Sequence, residues 1–175
     1  PAKAGTPCFA VCVWLWFALS AGAQTLNLPP RPVGAPTGSQ FINIITPMSL
    51  TDRENAILSE VISGNVPDFL RTLVPINVSA TINSTLHTGT YYVTPDYVAI
   101  GTDADYFLEP MTPLLGQRIC DALGCTMPTR KMVNQIWTNA AVKMNPQSIP
   151  PSGAMTTLPV FADHNTMVRT QRNTF

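Results

Sequence analysis

The sequence predicts an α+β fold: a small antiparallel sheet with an N-terminal helical segment before it and a helical pair after it. Three observations predict this. Residues 51–64 carry apolar positions at helical spacing behind a capping pattern. Residues 74–110 change to alternation of apolar and polar side chains, the period of a half-buried strand. Residues 112–144 return to helical spacing twice, with Gly124 and Pro128 between the two runs.

The length of 175 residues suits one domain, and ten basic against ten acidic residues leave no net charge. That balance offers no basic field for nucleic acid, and no nucleic-acid-binding motif is present, so no nucleic-acid partner is expected. The first 23 residues have the layout of a secretory signal peptide. Lys3 precedes the apolar run Cys8 to Leu19, and Ser20-Ala21-Gly22-Ala23 supplies the small residues of a cleavage site. The run is short of the roughly 20 apolar residues that span a bilayer, so no stable membrane span is expected after cleavage. The chain is therefore read as exported: secreted, periplasmic or extracellular.

Residues 24–47 crowd together Pro29, Pro30, Pro32, Gly34 and Pro36, the composition of an extended linker, with residues 41–45 as a short strand or a packed segment. Residues 48–175 form the expected single α+β domain. Thr51-Asp52-Arg53-Glu54 reads as a capping box, Ile57, Leu58, Val61 and Ile62 as the buried stripe behind it, and Gly64 as the stop. Pro67 to Arg71 forms a further helical turn. Three or four antiparallel strands follow between residues 74 and 110. Asn77-Val78-Ser79 and Asn83-Ser84-Thr85 match the N-glycosylation pattern. Asp103 and Asp105 fit a hydrated turn better than a calcium cage, and no metal site is expected.

In the helical pair, Thr112 caps and Pro113 opens the first helix, whose inner face holds Leu115, Ile119, Ala122 and Leu123. The second begins near Thr129 and carries Met132, Val133, Ile136, Trp137, Ala140 and Ala141 every three to four residues. Arg130 and Lys131 in its first turn oppose the helix dipole by a few tenths of a kcal/mol. Thr129, Arg130, Lys131 and Arg118 are the candidate anion-binding residues, set against a plain solvated basic turn. Signal cleavage removes Cys8 and Cys12 and leaves Cys120 and Cys125, an even pair that in an exported protein suggests a disulfide. A nucleophilic Cys125 is the alternative.

A second proline-rich passage follows Met144. Asp163 then caps a last helix, residues 164–172, with Met167 and Val168 inward. His164 is the candidate catalytic acid–base. Glu109 and Asp68 are a possible carboxylate pair. No complete catalytic motif, phosphate loop or dinucleotide fingerprint occurs, and no cofactor is expected.

From Tyr92 to Arg172 the chain resembles a family of uncharacterised secreted proteins, chiefly bacterial. The pieces that carry the resemblance are residues 93–97, Pro110-Met111-Thr112-Pro113, Gly124-Cys125, residues 128–133, His164-Asn165 and Gln171-Arg172. The resemblance implies export and a chain truncated at its C terminus, continuing beyond Phe175 with further His- and Lys-containing segments. Residues 123–129 are also similar to a passage of the formylglycine-generating enzyme and C-type lectin-like group, without the acidic and tryptophan pattern that follows there.

The functional expectation is a secreted hydrolase acting on an extracellular or cell-wall polymer, with His164 as acid–base and Arg130 and Lys131 holding an anionic group. Its alternatives are a non-catalytic glycan- or polyanion-binding module using Arg130, Lys131 and exposed tyrosines such as Tyr91 or Tyr97, and a structural envelope protein.

Overall fold

The computed structural model describes residues 23–175. All but the last residue of the expected signal peptide lie outside the described residues. The architecture is α+β, with five helices and four short antiparallel strands among the described residues. The strands form two separate two-stranded sheets, not one.

The proline-rich N-terminal segment is not a free linker. Its second half folds into α1 (Gly38–Ile45), capped by a reciprocal pair: Thr37 Oγ1 accepts from Gln40 N–H, and Gln40 Oε1 accepts from Thr37 N–H. Phe41 and Ile45, one turn apart, are fully buried in the core. The first half is strapped to the domain through its carbonyls. Arg71 donates to Pro29 O at 2.9 Å, and Arg31 donates to Ala35 O and Pro36 O. Asn65, fully buried, ties the strap down by accepting from Arg31 Nε and donating to Pro36 O and Glu60 Oε2. Proline removes donors but leaves acceptors, and buried acceptors need partners. The arginines and Asn65 supply them.

Helix α2 (Leu50–Ile62) begins earlier than expected. Ser49 is the cap, its Oγ accepting from Asp52 N–H. The Thr51–Glu54 box does not form, because Glu54 reaches across to accept the Thr112 N–H at 2.9 Å. A 3-10 turn (Asp68–Leu70) follows.

The first sheet is a hairpin of β1 (Val74–Ile82) and β2 (Thr85–Val93), in unbroken register from Val74 opposite Val93 to Ile82 opposite Thr85. Its two-residue turn has Asn83 and Ser84 at φ 49° and 64°, the left-handed pair of a type I′ turn, which matches strand twist. Only Ile76 in this hairpin is buried. The second sheet pairs β3 (Ala99–Gly101) with β4 (Tyr106–Leu108) and lies almost wholly in the core.

The ends of helix α3 (Pro113–Leu123) match expectation, but of its expected inner face Ala122 is exposed and Leu123 only half-buried. Thr112 Oγ1 caps it, Pro113 opens it and Gly124 closes it at φ 66°, with Cys125 N–H returning to Cys120 O. Leu115, Gly116 and Ile119 form its buried face. Thr129 caps α4 (Arg130–Asn139), but no residue of α4 is fully buried, and Val133 and Trp137 face solvent. Helix α5 (Leu158–Arg172) starts at Thr157 with Pro159 in its first turn, not at Asp163, which sits mid-helix and exposed. Val168 is half-buried, but Met167 points outward rather than inward.

Candidate functional site

Helix α4 packs along β1, and a shallow surface groove of about 310 Å³ lies between them. Asn77, Val78 and Ser79 line it from the strand; Lys131, Asn134, Gln135 and Thr138 line it from the helix, with Asn139 at its end. Positions 131, 134, 135 and 138 recur at helical spacing and so share one face of α4. One contact ties the helix to the sheet and two close its own ends. Tyr91 of β2 donates its hydroxyl to Gln135 Oε1 or Met132 O, at 3.1 and 3.3 Å. Lys143 folds back on the last turn, its ammonium 3.0 Å from Ala140 O and 5.3 Å from the Trp137 ring centre. Thr129 Oγ1 accepts the Met132 N–H.

The lining is rich in amides. Asn77, Asn134, Gln135 and Asn139 each offer a carboxamide, Ser79 and Thr138 a hydroxyl, and Lys131 one ammonium. Part of this capacity is used internally: Asn139 donates to Gln135 O, Thr138 to Asn134 O, and Asn77 accepts from Thr90. The Asn134 carboxamide and the Lys131 ammonium make no hydrogen bond among the described residues and face the groove with full capacity. No carboxylate, imidazole or thiol lines it. A second depression of about 440 Å³ shares Asn77–Ser79 and continues over Thr88, Gly89 and Thr90.

The candidate anion-binding residues are distributed over different surfaces. Successive helical residues diverge by about 100°, so Lys131 faces the groove while Arg130 points away from it. Arg118, on α3, is held by Asn55 Oδ1 at 3.2 Å through both terminal nitrogens. The Thr129 hydroxyl serves as the α4 cap. Tyr97 is exposed beside Asp96.

His164 is half-buried and its Nε2 lies 2.9 Å from Gln147 O, which fastens the second proline-rich passage to α5. Its neighbour Asn165 has the more demanding role. Asn165 is 6% exposed; its Oδ1 accepts the Leu108 N–H at 3.1 Å and its Nδ2 donates to Tyr106 O at 3.4 Å. A single carboxamide thus stands where a neighbouring strand would pair with β4. Arg169 and Arg172 extend the same face of α5. Arg169 donates to Ala104 O and stacks 4.5 Å over the Tyr106 ring, and Arg172 binds the Tyr106 hydroxyl at 2.6 Å and pairs with Asp96. Removing Asn165 strands the Leu108 N–H, while Tyr106 O keeps the Arg169 donor at 3.3 Å, so Asn165→Ala is expected to lower unfolding free energy by about 1–3 kcal/mol. Urea denaturation monitored by circular dichroism measures it.

The expected Cys120–Cys125 disulfide is not formed: both thiols are free. The αL turn at Gly124 brings the backbones together, but Cys125 Sγ turns to the Leu123 carbonyl at 3.7 Å. Burial, then the charges of Cys125 and Asp121, push the Cys120 thiol above its ordinary value, which keeps it protonated and weakly nucleophilic. Asp68 is exposed and paired with Arg71 at 3.4 Å, whereas Glu109 is buried; they do not share an environment. Asp103 accepts from Phe69 N–H, and Asp105 from the Ser39 amide and hydroxyl, so both carboxylates serve the fold.

Glu109 had no sequence signal beyond its charge. Neither of its carboxylate oxygens, nor the buried Arg53 Nε, meets a hydrogen-bond partner among the described residues. Burial pushes the Glu109 carboxyl well above its ordinary value, against the pull of the Arg53 charge.

Comparison of the chain with protein-family models, curated proteins and solved structures gives no match.

Proposed function

We propose that the chain is a non-catalytic binding module for a hydroxyl-rich polymer, an extracellular glycan, held in the groove between β1 and α4. The observation that carries this reading is the lining of amides and hydroxyls around one ammonium. Carboxamides both donate and accept, as sugar hydroxyls do, and therefore suit hydroxyl-rich ligands. The Lys131 ammonium adds a place for a carboxylate or sulfate substituent. Hydrolysis needs an acid and a base within hydrogen-bond reach of the bond that breaks. This lining supplies neither, and His164 is engaged with the Gln147 carbonyl. The signal-peptide pattern of residues 1–23 supports placing the module outside the cytoplasm.

Isothermal titration with matched neutral and carboxylated oligosaccharides tests the reading. Binding without turnover is expected, and the double variant Lys131→Ala/Asn134→Ala is expected to weaken it by about tenfold, near 1.4 kcal/mol. The carboxylated ligand is expected to lose affinity as salt rises and the neutral one to keep it, since only the former uses the ammonium. Cleavage of either ligand, or affinity untouched by the double variant, contradicts the proposal.

A further inference from the structure

We infer that β2 pairs edge to edge with β2 of a second copy of this chain, joining two hairpins into one four-stranded antiparallel sheet. The first ground is the absence of charge. Residues 74–95 contain no Asp, Glu, Lys or Arg, and the hairpin they form is largely exposed. Soluble proteins protect exposed strand edges with lysine, proline, bulges or a covering element. β2 has no proline and its ladder to β1 runs without a bulge. Helix α4 packs along β1, and among the described residues no strand lies on the far side of β2. The outer edge of β2 is left with unpaired backbone donors and acceptors. A second copy brings the same uncharged edge and meets no like-charge repulsion.

The second ground is self-complementarity. Gly89 is the middle residue of β2. With a two-fold axis at Gly89, antiparallel pairing places Leu86 of one copy opposite Tyr92 of the other, Thr88 opposite Thr90 and Thr85 opposite Val93. Leu86 and Tyr92 are the large apolar residues that β2 leaves exposed, at 67% and 42%. Each occurs twice across the axis and each meets the other, the aliphatic–aromatic cross-strand pair that stabilises antiparallel sheets. Such an interface is isologous.

Gly89 also provides the test. A Cβ there meets nothing nearer than Val78 Cγ2 at 4.0 Å, so a side chain at this position leaves the isolated fold undisturbed. Gly89→Lys sets two ammonium groups against each other on the axis; Gly89→Thr adds a strand-favouring residue without charge. Light scattering coupled to size exclusion is expected to give twice the 18.9 kDa chain mass for the unaltered chain and for Gly89→Thr at high concentration. Gly89→Lys is expected to give the single mass at the same concentration with an unchanged far-ultraviolet spectrum. If Gly89→Lys fails to fold, Thr88→Lys, at an exposed position beside the axis, carries the same expectation. A monomer at every concentration for the unaltered chain overturns the inference, and so does a dimer that survives a folded lysine variant.

Discussion

Gly38→Ala is expected to lower unfolding free energy by about 3 kcal/mol, a drop of roughly 10 °C in melting temperature. The first turn of α1 presses directly on β4. Gly38 N–H donates to Asp105 O, and a Cβ on Gly38 would lie 2.6 Å from both the Tyr106 Cα and the Phe107 nitrogen. Those atoms are backbone of a buried strand and cannot rotate away as a side chain would. Relief requires α1 to lift, which withdraws Phe41 and Ile45 from the core and weakens the Asp105 contacts with Ser39. Gly153→Ala, at a position open on all sides, is the matched control and is expected to melt with the unaltered chain. Thermal circular dichroism on both variants makes the comparison. Equal melting temperatures would mean that α1 does not sit against β4 as described.

Glu109→Gln is expected to raise stability at pH 8, because it removes a buried ionisable carboxyl that holds its proton more tightly folded than unfolded and whose oxygens lack donors. The gain is expected to vanish in mild acid. The folded state raises the Glu109 carboxyl above its ordinary 4.5, so it holds the proton more tightly than the unfolded chain does. That contribution is fully present below 4.5 and is lost as pH climbs through the raised value. Asp105 acts in the opposite window. Burial raises its carboxyl, but hydrogen bonds from Thr37 and Ser39 and the Arg169 charge together lower it below 3.8. Its contribution is present above 3.8 and lost as pH falls through the lowered value. From these two groups the unaltered chain is expected to be most stable in mildly acidic solution. Melting curves from pH 4 to pH 8 are expected to slope downward for the unaltered chain and to flatten for Glu109→Gln. Parallel curves for the two proteins would remove Glu109 as the cause.

The helical pair was legible because its signals are local. Thr112, Pro113, Gly124 and Thr129 act within four residues of themselves, and each does in the structure what its chemistry dictates. The sequence reading misplaces the start of α2 by two residues: the Thr51–Glu54 pattern reads as the box, but Ser49 is the cap and Glu54 is drawn to Thr112, 58 residues away. The strap of residues 24–36 was hidden by its composition. Prolines suggest a linker unless something binds their carbonyls, and Arg71 and Asn65 do so from 29 or more residues away in sequence. Thr37 followed three residues later by Gln40 is a capping-box signal for α1 that the linker and short-strand reading of residues 24–47 passes over. Within the groove, Lys131 stood out by its charge and Asn77 only as part of a glycosylation pattern, whereas Asn134 carries no local signature and acquires meaning only when β1 and α4 meet. The split of the strands into two sheets was equally invisible, since alternation reports which face is buried and not which strand pairs with which.

The most direct test of the glycan-binding account is an amide chemical-shift titration of the folded chain with a carboxylated oligosaccharide. The account predicts saturable shifts concentrated at residues 77–79 and along Lys131 to Asn139, with the ligand recovered intact. Shifts centred instead on His164 and Gln147, accompanied by cleavage of the ligand, would contradict it and return the chain to the hydrolases.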